Sequence, residues 1–302
     1  MRVIFHHYKE SPYAEKIRTL LGHKQMAWHS VTVPRVAPKP DLTALTGGYR
    51  KVPVLQLGSD VFADTRLIAR EIEALAPTPP LDTLPGSFSP VLESWVDQHL
   101  FGRVVGFTFG SLVDFLPDEL LADRAALRGA PLDRAQLKAA APQAAQELQQ
   151  HAAWLENALG EQPFFNGPHP AAGDFTLYAT LWFAANGRFD FSVYPRLSAW
   201  MQVMKAFGHG DSTPMTSAEA LEEARTTLPR ELPDSDPDSL AACGLTLDQP
   251  VRITPELLGH GTDVTGTLLA LNTERVVVQH SHPACGTVHV HFPRWGYRFR
   301  PA

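Results

Sequence analysis

The sequence predicts three regions in one chain. They are an α/β domain over residues 1–80, an all-helical domain over 88–207, and a small all-β, barrel-like domain over 240–302. A linker at 208–239, holding one helix, joins the last two. Three observations carry this reading. The first eighty residues alternate strand-like and helix-like runs in the order βαβ, irregular segment, ββα. The middle is a series of segments with apolar residues at helical spacing. The tail holds five short apolar runs divided by turn residues.

The N-terminal region is organised around residues 51–65. Val54, Leu55 and Leu57 form a short strand, Gly58-Ser59-Asp60 a turn, and Val61-Phe62-Ala63 a second strand. Asp64 and Thr65 are residue types that cap a helix, and Leu67, Ile68, Ile72 and Leu75 follow at helical spacing. Pro53 at the mouth of a buried strand cannot donate to a sheet ladder. It is either an ordinary edge-strand proline or a cis proline that turns the backbone of Val52 outward. In the second case, backbone beside a helix N-terminus can hold a small peptide-like ligand carrying a carboxylate.

Upstream, residues 3–8 read as the first strand. Ser11 is a good N-cap, Pro12 a good first helical residue, and Glu15 complements the helix dipole. Ala14, Ile17, Leu20 and Leu21 give the apolar stripe, and Gly22 a stop. Residues 27–33 read as the second strand. A proline-rich loop follows at 34–40, then a short helix at 42–45 stopped by Gly47-Gly48. Residues 76–90 read as an interdomain linker. Helices are expected at 91–116, 120–127, 135–159, 174–186 and 194–207. Glycines at 102, 106 and 110 recur every four residues, which favours close helix packing.

Composition narrows the function. Lys and Arg number 26 against 32 Asp and Glu, which argues against nucleic acid or an anionic membrane as the main partner. No long uncharged apolar run suggests a membrane span. Two cysteines, Cys243 and Cys285, give no disulfide framework and suit a cytoplasmic location.

The element order, with Ser11-Pro12-Tyr13 after the first strand, Val52-Pro53 before the third and Asp64-Thr65 heading the last helix, resembles the glutathione transferase superfamily, in an omega-like form. The resemblance covers roughly residues 1–207. It implies a thioredoxin-like N-terminal domain that binds glutathione, a helical second domain, and a homodimer. It assigns cis geometry to Pro53 and backbone pairing with the cysteinyl group to Val52. The γ-glutamyl group falls to Asp64 and Thr65, where the family usually carries Glu or Gln with Ser. The glycyl carboxylate needs a cation, and Lys51 is preferred over Arg50, Lys39 and Arg35.

For the thiol, Ser11 has the best position, at a helix N-terminus whose dipole favours a thiolate. Tyr8 is the rival. Tyr13, Trp95, His99 and Phe107 are candidates to line the second-substrate pocket. The implied function is transfer of the glutathione thiol to a small hydrophobic electrophile, as in detoxification. The alternative is a non-catalytic scaffold whose C-terminal β region binds a protein partner. A thioltransferase is disfavoured because the N-terminal domain lacks cysteine. Phe164 to Phe175 resembles the family's folding motif, with Asp174 capping a buried helix.

In the tail, strands are expected at 251–253, 264–271, 275–280, 287–292 and 295–299. His280 and His282, and His289 and His291, are spaced to share a strand face. With Cys285 they can hold zinc, but no ligand spacing of a recognised finger is present, and no metal is expected. Arg294, Arg298 and Arg300 read as solvated surface.

Overall fold

The computed structural model describes residues 2–81, 88–257 and 262–302. Part of the linker expected at 76–90 lies outside them.

One ten-stranded sheet runs through the chain. Strands β1 (Val3–His7), β2 (Ala27–Thr32), β3 (Val54–Leu57) and β4 (Asp60–Ala63) form its N-terminal half. The tail contributes β6 (Pro250–Pro255), β7 (Val264–Leu271), β8 (Arg275–His282), β9 (Gly286–Pro293) and β10 (Tyr297–Pro301). A short β5 (Asp211–Pro214) lies beside β2. The strand order is β10-β6-β7-β8-β9-β4-β3-β1-β2-β5.

The N-terminal half is thioredoxin-like: β1 pairs parallel to β2 and antiparallel to β3, and β3 pairs antiparallel to β4. Helix α1 (Pro12–His23) starts at Ser11, whose Oγ accepts from the Ala14 amide at 3.2 Å. Helix α2 (Pro40–Thr46) follows β2, and α3 (Thr65–Leu75) follows β4.

The five tail strands occur where the turn chemistry places them, each antiparallel to its neighbour. They do not close on themselves as a separate barrel. β9 instead pairs parallel to β4, with Asp60, Val61 and Phe62 opposite His289, Val290 and His291. An open edge on β4 would leave backbone donors and acceptors exposed, and β9 satisfies them. Leu42 and Leu45 of α2 share one apolar cluster with Leu268, Val276, Val278, Val290 and Phe292. The sheet junction is also tied by polar groups. His291 stacks on Phe62 at 4.3 Å and bonds Asp60 at 2.8 Å. Glu71 of α3 holds Arg275 at 2.6 Å and Arg230 at 3.0 Å.

Register corrects the reading of the tail histidines. Gln279 lies opposite His289 and Val277 opposite His291, whereas His280 lies opposite Val288. Directly paired residues share a face, so the two histidine pairs point to opposite faces. His280 bonds the Ala44 carbonyl, and His291 bonds Asp60. Among the described residues no group of three or more His, Cys, Asp or Glu side chains can hold a metal ion.

The helical region begins with α4 (Ser89–Trp95), passes through a π turn at Val96–Leu100 and continues as α5 (Phe101–Ser111). The expected single helix at 91–116 is therefore interrupted. Gly110 lies against α7 (Arg134–Leu159): a Cβ there would meet the Ala141 Cβ at 2.6 Å. Helix α6 (Asp118–Arg128) precedes α7, and α8 (Ala172–Asn186) and α9 (Pro195–Ala206) complete the bundle. The Asp174 carboxylate accepts from the amides of Phe165 at 2.9 Å and Ala171 at 3.1 Å. The segment read as a linker carries β5, α10 (Ser217–Thr226) and α11 (Pro237–Cys243). No helix among the described residues is long and apolar enough to cross a membrane.

Buried histidines make the fold acid-sensitive. Burial lowers the pKa of His6 to about 4. Burial, reinforced by Arg18, lowers that of His7 to about 3. Both groups are neutral in the folded chain, while the unfolded chain takes up protons near pH 6.5. Their contribution is complete above that value and is lost as pH falls toward 4 and 3. A two-unit depression corresponds to about 3 kcal/mol. The melting temperature is therefore expected to fall steadily from pH 7 to pH 4.5. A flat profile over that window contradicts neutral burial of these histidines.

Candidate functional site

A cavity of about 500 Å³ opens where the mouth of β3, the head of α3 and the tail meet. The thioredoxin-like half supplies Tyr13, Tyr49, Lys51, Val52, Pro53, Asp64, Thr65 and Arg66. The π turn supplies Asp97, Gln98 and His99. The tail supplies Pro255, Glu256, Leu257, Trp295, Gly296 and Tyr297.

Local sequence explains the position of each group. The Val52–Pro53 bond is cis, and the ladder with β1 reaches only to Val54, so the Val52 peptide lies outside it. Asp64 sits at φ 74°, a region uncommon for a residue with a side chain and tolerated best by Asn and Asp. Its Oδ1 caps α3 by accepting from the Arg66 amide at 3.0 Å. Its Oδ2 accepts from the Tyr297 hydroxyl at 3.2 Å, and that hydroxyl meets the Tyr49 hydroxyl at 3.3 Å. A pair of tail and core tyrosines thus orients the carboxylate. Burial raises the pKa of both phenols, so they remain donors.

The remaining charges are matched. Thr65 Oγ1 accepts from Lys16 Nζ at 3.3 Å, and Lys16, 2% exposed, pairs with Glu93 at 2.6 Å. Arg66 pairs with Asp97 at 2.7 Å and lies under the Trp295 ring at 3.9 Å. Burial pushes the Asp97 carboxyl up to about 6, against the pull of Lys16 and Arg66. Burial lowers the Lys51 ammonium to about 8. The cavity therefore presents acids at Asp64, Asp97 and Glu256 and bases at Lys51 and Arg66. Such a surface suits a zwitterionic, peptide-like ligand.

Of the residues singled out in the sequence, Tyr13, Lys51, Val52, Pro53, Asp64, Thr65 and His99 line this cavity. Lys51 donates to the Leu257 carbonyl at 2.6 Å, so its ammonium is already engaged by the tail. Ser11 is 2% exposed and is not among the lining residues. Tyr8 stands apart, with its hydroxyl accepting from Arg124 at 3.0 Å. Trp95 lines a neighbouring cavity of about 830 Å³ with Arg66, His99 and Trp295. Phe107 lies in the helical core edge-on to Phe189, because its face of α5 turns inward. Sequence reasoning missed Tyr49, Arg66, Asp97, Gln98 and every tail residue of the wall. Arg66 directly follows the Asp64-Thr65 cap, which was a usable signal. The tail residues come from more than 150 positions away, and no local pattern announces them.

Residues 5–80 match the family described as glutathione S-transferase, N-terminal domain, and residues 138–202 match its C-terminal domain. A GST-like protein from Pseudomonas syringae is 33% identical over 100% of this chain and 99% of its own, with a TM-score of 0.78. FzlA from C. crescentus shares the fold at 21% identity, covering 68% of this chain and 88% of its own, with a TM-score of 0.56. A theta class glutathione S-transferase from Xanthomonas axonopodis pv. citri, solved with glutathione bound, shares the fold at 20% identity and a TM-score of 0.51. It covers 67% of this chain and 92% of its own. No curated protein matches the chain. The two domain matches, the likeness over the full length and the thioredoxin-like and helical architecture agree: the chain belongs to the glutathione transferase superfamily.

Proposed function

We propose that the protein is a glutathione-dependent transferase. One observation carries the reading: Val52, Asp64 and Thr65 share a single cavity lined by both acidic and basic side chains. In this reading the Val52 peptide pairs with the cysteinyl group. Asp64 takes the γ-glutamyl ammonium through the oxygen that Tyr297 already orients. Thr65 and the first amides of α3 take the γ-glutamyl carboxylate. Glutathione is the co-substrate, and a homodimer is the assembly expected from the family.

Ser11 is the group proposed to steady the thiolate. Its Oγ accepts from Ala14, which leaves its proton to donate to a sulfur at the head of α1. The Tyr8 hydroxyl accepts from Arg124, and Tyr8 is the second candidate. The tail has a use within this same site, as its wall.

Calorimetric titration with glutathione tests the binding half. Saturable binding that Ser11→Ala preserves, with turnover of a general electrophile reduced about 100-fold, is the expected result. The variant costs about 1 kcal/mol of stability through the lost cap. Full turnover in Ser11→Ala with loss in Tyr8→Phe would transfer the role to Tyr8. Absence of glutathione binding would end the transferase reading.

A further inference from the structure

Asp64, Asp97 and Glu256 line the smaller cavity, and they differ in what already holds them. Asp97 is committed twice: its Oδ2 pairs with Arg66 at 2.7 Å, and its Oδ1 accepts from the Tyr13 hydroxyl at 3.5 Å. Asp64 accepts from the Arg66 amide on one oxygen and from the Tyr297 hydroxyl on the other. Both donors are uncharged, so neither cancels the charge of that carboxylate.

Glu256 is held by its backbone alone. It directly follows β6, and its amide donates to the Gly296 carbonyl at 2.9 Å. Tyr297 lies opposite Pro255 in the β6–β10 ladder, so Glu256 adjoins the tyrosine that orients Asp64. Among the described residues its carboxylate meets a cation at Arg298, 3.6 Å away and longer than a hydrogen bond. Arg298 is 77% exposed and Glu256 48%, and an ion pair in water is worth little. The cations of the wall are engaged elsewhere. Lys51 donates to the Leu257 carbonyl at 2.6 Å, and Arg66 is held by Asp97 and the Trp295 ring. Two carboxylates, one from the thioredoxin-like half and one from the tail, are therefore left to accept from a ligand. An ammonium donates three hydrogens, and Asp64, with one acceptor site left on each oxygen, can take at most two. Glu256 lies in neither matched domain segment, 5–80 or 138–202.

We propose that Glu256 is a ligand-binding residue. With Asp64 it holds the free ammonium of the γ-glutamyl group, and through it the tail selects thiol peptides whose terminal amine is unblocked. This deepens the transferase reading and rests on it. Both carboxylates belong to one chain, so the ammonium pocket is complete without a residue from a second copy. A peptide acylated at that amine loses the charge that both acids recognise.

Calorimetry on the full chain tests this without relying on turnover. It compares glutathione with glutaryl-cysteinylglycine, the same peptide with the amine removed. Displacement titration against bound glutathione brings a weakly bound analogue into range. Glu256→Gln is expected to weaken glutathione about five- to tenfold, the low end for a hydrogen bond to a charged group at a half-exposed site, and to leave the analogue unchanged. Arg298→Gln removes the neighbouring guanidinium and is expected to leave glutathione bound at least as tightly. Glutathione binding unaffected by Glu256→Gln would overturn the role while leaving the transferase reading intact, and so would equal weakening of both ligands. Weakening by Arg298→Gln as large as that by Glu256→Gln would assign the effect to their ion pair and also overturn it. If the wild-type chain binds neither compound, the transferase reading and the role of Glu256 fall together. The Glu256 carboxylate makes no hydrogen bond among the described residues, so Glu256→Gln is expected to fold and to keep the wild-type melting temperature.

Discussion

Replacing Phe292 by alanine is expected to destabilise the whole chain by about 3–5 kcal/mol. The side chain is fully buried on β9, one residue past the pairing with β4. It packs edge-on to Tyr49 at 5.8 Å and against Tyr297 at 5.5 Å. Its loss opens a cavity under the tyrosine pair that orients Asp64. Because tail and thioredoxin-like residues share one cluster, melting should occur in a single shifted transition. A calorimetric trace in which the tail melts early and the rest at the wild-type temperature contradicts that shared core. Phe292→Leu fills most of the space and should recover much of the loss.

The second large effect concerns binding. Asp64→Asn is expected to weaken glutathione roughly 10–100-fold, the range for losing a hydrogen bond to a charged partner. Asparagine caps helices as well as aspartate and tolerates positive φ, so α3 and the strained backbone at Asp64 survive the change. Tyr297→Phe removes the donor to Asp64 Oδ2 and should give a smaller loss of about three- to tenfold. Both penalties should vanish for a glutathione analogue that lacks the γ-glutamyl ammonium. Calorimetry with the two ligands separates this from general damage, which would weaken both. An undiminished penalty with the analogue would remove the ammonium from Asp64.

Much of the N-terminal region was legible because its signals are local. The Ser11-Pro12 helix start, the Gly58 turn and the Asp64-Thr65 cap each follow from side-chain chemistry within a few residues. The tail strands were legible for the same reason, since alternation and turns mark them. Their attachment was not. The pairing of Phe62 with His291 joins residues far apart in the chain, and parallel pairing leaves no turn to announce it. Asp60 and His291 held a weak clue, as polar residues within short apolar strands that each need a buried partner. Within the site, Asp64 could be read as a cap, but the Tyr297 hydroxyl that fixes its other oxygen could not. Lys51 looked like a free cation because nothing local engages it; the Leu257 carbonyl comes from the tail. The break of the long helix at Val96–Leu100, which brings Asp97 and His99 to the cavity, had no glycine or proline within it to mark it.

Backbone hydrogen exchange, followed with and without saturating glutathione, asks whether one ligand touches both ends of the chain. Protection should appear together at 52–54, at 64–67 and in the tail at 295–297. Protection confined to the first eighty residues, with the tail exchanging as it does without ligand, would contradict a binding site walled by the tail.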